Sequence, residues 1–170
     1  KSSVARGVEI VVPKGADVRW VTGKVKSRVS WIRNARQSVN EGRGQLSPVD
    51  INLSALGERW VVSYTTLDRA VSWLKVSGER TLTAGADPED VFSIARKLQQ
   101  WLRAKARASL VPWLGSLAEK RGLTFNRKGV RNQVSRWGSC SAKRNISLNQ
   151  NLLFLPRHLV EYVLHHELAH

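Results

Sequence analysis

The chain has 170 residues, 42% of them hydrophobic, with one cysteine, no methionine and a net charge of +15. That length and apolar content suit one domain, or a main domain with a small appendage, and exclude a collagen-like or wholly disordered chain. No apolar run approaches a membrane span, no secretory leader is expected, and the lone Cys140 excludes an internal disulfide, so the cytoplasm is the expected compartment.

In chain order, residues 7–12 read as a short strand, with Pro13-Lys14-Gly15 as the turn that closes it. A helix is expected from about Asp17, because Val18, Val21, Val25, Val29 and Ile32 recur at helical spacing. Residues 38–57 lose periodicity and gain Gly, Ser, Pro and Asn, which reads as a loop. Residues 60–64, 70–74 and 80–83 are β-rich and read as an antiparallel meander.

Asp87-Pro88-Glu89-Asp90 has the chemistry of a helix start, and the helix should run through Trp101 and Leu102 to about Leu110. Pro112 should bend or break it, with a continuation ending near Gly122. Residues 130–139 read as a strand and residues 145–149 as its partner, joined by a turn at 141–144. Pro156 opens a last helix that carries Leu159, Val160, Val163 and Leu164. The class is α+β.

That last helix ends in His166-Glu167-Leu168-Ala169-His170, an H-E-x-x-H pattern. Positions four apart lie on one helix face, so two imidazoles can share one Zn²⁺. His166 and His170 are the expected metal ligands, and Glu167 is the expected catalytic base for a zinc-bound water, returning its proton to the leaving group. His165 points about 100° away from His166, and His158 lies two turns back, so both read as structural or solvated. Imidazole ligands suit zinc but also accept iron, nickel and copper.

The charge is uneven. Residues 1–90 hold 14 Lys/Arg and 10 Asp/Glu, a balance of +4, whereas residues 91–170 hold 14 against Glu119, Glu161 and Glu167, a balance of +11. Such a field concentrates anions: nucleic acid, nucleotide phosphates or acidic proteins. Arg96, Lys97, Arg103, Lys105 and Arg107 either track a phosphate backbone beside Trp101 and Trp113, or form the solvated face of an amphipathic helix.

Arg136-Trp137-Gly138-Ser139-Cys140-Ser141, then Asn145-Ile146-Ser147-Leu148-Asn149, then the HHELAH helix, resemble the YgjP-like metallopeptidases. Those enzymes are related to the SprT-like and WLM metallopeptidases within the zincin group. Val12-Pro13-Lys14-Gly15 and Ser30-Trp31-Ile32 resemble the family's N-terminal region. The resemblance implies a zincin-like core of strand hairpin plus H-E-x-x-H helix over residues 87–170, preceded by a small β-containing portion with one helix over residues 1–86. It also implies a third zinc ligand, a histidine about ten residues past His170, to which nothing in this sequence corresponds. With two ligands alone, this stretch should hold zinc weakly and be weakly active or inactive.

In zincins a strand beside the metal offers a free edge to an extended peptide, so Arg136, Trp137, Gly138 and Ser139 are candidate substrate-binding residues. Gly138 would admit another backbone, Trp137 would anchor the strand in the core, and Arg136 would stabilise an oxyanion, grip a phosphate or form an ion pair. Cys140 reads as a small packing residue or a metal ligand.

The leading expectation is a zinc-dependent peptidase acting on peptide or protein. The alternatives are a metal-dependent hydrolase of nucleoside triphosphate phosphoanhydrides and a nucleic-acid-binding module; no membrane partner is expected.

Overall fold

A computed structural model describes residues 2–3, 7–8, 47–66, 72–86 and 91–170. The turn at residues 13–15, the helix expected from Asp17 and the helix start at residues 87–90 lie outside the described residues. Of the strand expected over residues 7–12, only the first two positions are described: β1 (Ser2–Ser3) and β2 (Gly7–Val8) pair antiparallel.

A four-stranded sheet follows, formed by β3 (Asp50–Leu53), β4 (Glu58–Thr66), β5 (Trp73–Gly78) and β6 (Thr81–Ala86) in the order β3-β4-β6-β5. β3 corrects the loop expected over residues 38–57. Its four residues alternate, with Ile51 and Leu53 buried and Asp50 and Asn52 exposed. Two inward side chains make too short a period to stand out beside Pro48 and Gly57. Gly57, at φ +64°, supports the turn that brings Ile51 opposite Trp60.

The expected meander also needs correction. All three segments are strands, but β5 begins three residues later than expected, and β6 lies between β4 and β5. It runs parallel to β4 and antiparallel to β5. Burial accounts for the order. Leu82 and Ala84 make β6 fully buried on one face, whereas β5 is largely exposed and carries Lys75, as suits an edge strand.

Helix α1 (Val91–Lys120) runs on through Pro112, so the expected break does not occur. Leu110 and Leu114 on either side are fully buried, and that packing holds the helix across the missing proline donor. The buried residues Ile94, Leu98, Leu102, Ala106, Leu110, Leu114 and Ala118 recur every four positions. Each such step overshoots a full turn by about 40°, so the apolar stripe winds round α1 and one helix can serve both sheets. One continuous cluster results, from Ile51 and Trp60 through α1 to Leu164 and Leu168. The expected stop at Gly122 is present: φ is +64°, and the N–H groups of Gly122 and Leu123 bond to the carbonyls of Glu119 and Ala118.

The second sheet has three strands, β7 (Arg127–Arg131), β8 (Gly138–Cys140) and β9 (Asn145–Asn149), in the order β7-β9-β8. The β8–β9 hairpin with its turn at residues 141–144 matches the expectation. The single strand expected over residues 130–139 does not form: only its two ends pair, and residues 132–137 are a bent loop. The buried Asn149 side chain donates to the carbonyls of Gln133 (2.9 Å) and Arg136 (2.8 Å), so a side-chain amide replaces the ladder there. A 3₁₀ turn (Gln150–Phe154), N-capped by Asn149, leads through Pro156 into α2 (Arg157–Ala169).

Candidate active site

Helix α2 buries Val160, Leu164, Glu167 and Leu168 along one stripe. Glu167 is therefore a carboxyl on the core-facing side, while His166 and His170 lie on the adjacent, exposed side. The imidazole Nε2 atoms of His166 and His170 are 3.3 Å apart, with their rings edge to face at 4.8 Å. Tyr162, one turn earlier, stacks on His166 with ring centroids 6.3 Å apart. The four-residue spacing of all three makes them neighbours on one helix face.

Gly138 opens β8 directly against Glu167. A Cβ built at Gly138 would lie 2.6 Å from Oε1 and 2.8 Å from Cδ of Glu167. The close approach expected of Gly138 is thus to a carboxylate rather than to another backbone. The Glu167 carboxyl is raised above its ordinary range by burial, with His166, His170 and Arg136 pulling it partly back.

The remaining candidates are placed differently. Trp137 is 46% exposed, which corrects its expected role as a core anchor; the loop geometry imposed by Asn149 turns it out. Arg136 is exposed and close enough to Glu167 to act on it electrostatically. Ser139 is half-buried in the middle of β8 and pairs with Ser147 of β9. Among the described residues β8 is the outer strand of its sheet, with no strand paired on its other edge. Cys140 is half-buried and shares a cavity of about 130 Å³ with Glu167, His170, Phe125 and Ile146. His158 is exposed, and His165 is half-buried with Nδ1 enclosed and without a hydrogen-bond partner among the described residues.

On helix α1, Lys105 pairs with Glu58 at 2.8 Å and Arg103 donates to the Val130 carbonyl at 3.1 Å. Trp101 packs edge to face on Trp60, and Arg157 stacks on Trp113. These groups are tied into the fold.

Asn149 and Tyr162 were not singled out from sequence for any role at the site. The signal for Asn149 was the first of three successive amide residues, Asn149-Gln150-Asn151, between an apolar strand and a proline-headed helix; for Tyr162 it was an aromatic one turn before a candidate ligand.

Zinc–imidazole bonds of about 2.0–2.1 Å in a tetrahedron separate two ligand nitrogens by roughly 3.3–3.4 Å. The 3.3 Å between His166 and His170 fits that bite. Among the described residues, no group of three or more His, Cys, Asp or Glu side chains comes together as a metal cage.

Among the described residues, two helices and two small mixed sheets, with the H-E-x-x-H helix packed against the outer strand β8, define an α+β fold consistent with the zincin type. The chain belongs to the YgjP-like metallopeptidase domain family, whose profile matches residues 3–170. That membership makes it a metal-dependent hydrolase of the peptidase kind. No curated protein and no solved structure matches it. Among the described residues, no helix is long and apolar enough to cross a membrane.

Proposed function

We propose that the protein is a zinc-dependent peptidase of the cytoplasm in which His166 and His170 hold the ion and Glu167 moves the proton. The observation that carries this reading is the contact between Glu167 and Gly138, which seats a buried carboxyl beside two imidazoles whose nitrogens are 3.3 Å apart. When bound, zinc would supply Lewis acidity, lowering the pKa of a water and polarising the scissile carbonyl. Glu167 accepts a proton from the attacking water and returns it to the amine as the C–N bond breaks. The free edge of β8 pairs with an extended peptide and presents its carbonyl towards Glu167. Arg136 favours the negative charge that develops there. Tyr162 holds the His166 ring in place. The family resemblance implies a third ligand, a histidine about ten residues past His170.

The +11 balance over residues 91–170 and the Arg136 field at Glu167 favour a second reading, hydrolysis of a nucleoside triphosphate by the same groups. One experiment separates them. Full-length protein with Zn²⁺ is offered unfolded casein or a nucleoside triphosphate, beside its Glu167→Gln variant. The peptidase reading predicts peptide release lost in the variant. Phosphate or pyrophosphate release with the same sensitivity would favour the second reading, and activity indifferent to Glu167→Gln would overturn both.

A further inference from the structure

The three-stranded sheet has two unlike faces. Val130, Ile146 and Leu148 point into the core, and alternation sends Arg127, Gly129 and Arg131 of β7, Ser147 of β9 and Ser139 of β8 outward. The register sets Gly129, Ser147 and Ser139 in one row across the sheet, with Arg127 and Arg131 on either side of it. A cleft of about 590 Å³ lies over this row; Arg136 also lines it, and among the described residues no acidic side chain does. Among the described residues, a Cβ at Gly129 would meet nothing within 4 Å, so the middle of the cleft is open to them. The hydroxyl of Ser147 is enclosed with no hydrogen-bond partner among the described residues. Gly138, which makes room for Glu167, points the opposite way from Ser139, so the Ser139 side of the cleft faces away from Glu167, and Arg136 stands at the border between the two.

We propose that this cleft binds the phosphate backbone of single-stranded nucleic acid. Three of the four cations that line it are arginines, whose planar forks match phosphate oxygens better than a point charge does, while the fourth, Lys128, sets its Nζ over the Phe125 ring. Arg127 and Arg131 are four strand residues apart, about 13 Å, too far for one phosphate to bridge and suited to successive phosphates of a chain. Trp137 adds what an acidic peptide would not use. The Asn149 N–H donates to the Trp137 carbonyl, and the 46%-exposed indole directly follows Arg136, which lines the cleft. An exposed indole beside arginines is a stacking platform for a base.

The test is fluorescence anisotropy of full-length protein with a labelled 20-nucleotide single strand over a range of salt. Three phosphate contacts predict a log–log salt slope of about −2. Arg127→Ala/Arg131→Ala should weaken binding about tenfold at ~0.1 M salt and make the slope shallower by about 1.4. Gly129→Glu, which places an acid in open space, should weaken it comparably with the thermal midpoint unchanged. The pair Arg107→Ala/Arg121→Ala, also exposed and removing the same charge, should leave the slope near the wild-type value. Wild-type binding by both cleft variants would overturn the proposal, as would an equal loss in the Arg107/Arg121 pair. Equal affinity for an oligo-glutamate of matched charge would assign the cleft to acidic proteins instead.

Discussion

Glu167 keeps its place because position 138 has no side chain. Gly138→Ala would drive a methyl group into the Glu167 carboxylate, since the built Cβ lies 2.6–2.8 Å from its atoms. The expected outcome is a fall in kcat of tenfold or more with a small loss of stability, about 1–3 kcal/mol, read from turnover and thermal midpoint together. Unchanged kcat would mean that the carboxylate has room elsewhere. Glu167→Gln keeps the shape and removes the proton acceptor, so hydrolysis should drop by about 10²–10⁴ while the midpoint holds or rises. A rise is reasonable because burial disfavours the charged carboxylate that the amide replaces.

Between β7 and β8, one side chain does the work of a strand ladder. Asn149 donates to two loop carbonyls, accepts from the Asn151 N–H, and its own N–H donates to the Trp137 carbonyl. Asn149→Ala should cost about 2–3 kcal/mol by denaturant unfolding and lower turnover as well, because Arg136 sits on the loop it clamps and Gly138 follows directly after it. This explains what was and was not legible locally. The β8–β9 hairpin and α2 are written in nearest-neighbour terms: apolar alternation, a turn, a proline at the helix start. The bend at residues 132–137 depends on an amide 13 to 16 residues downstream, which no local pattern reports. Glu58 on β4 is another such case. Burial pushes its carboxyl up, but hydrogen bonds from Lys105 and Trp60 outweigh that and hold it below its ordinary 4.5. A folded-state value below the unfolded one means stability present at neutral pH and lost as the pH falls below about 4.5. Glu58→Gln should therefore lower the midpoint at pH 7 and flatten its decline on acidification.

At the scale of the molecule, α1 joins the two sheets, and its winding stripe of buried residues makes their stabilities interdependent. Leu110→Ala, at a fully buried position, should cost about 2–5 kcal/mol and shift near-ultraviolet signals from Trp60 on the four-stranded sheet and Trp137 beside the three-stranded one in one transition; two separate transitions would contradict a shared core. The α+β class and the order of elements from α1 onward were legible because helical periodicity and capping residues act within a few positions. The sheet order was not, since β6 becomes central only when Leu82 and Ala84 are fully covered, and sequence spacing favours the simpler meander. The central claim concerns His166 and His170 as a pair, and metal content tests it most directly. Full-length protein and Glu167→Gln should each carry one equivalent of zinc after dialysis, and His166→Ala should carry almost none. Zinc retained at one equivalent in His166→Ala would contradict the account.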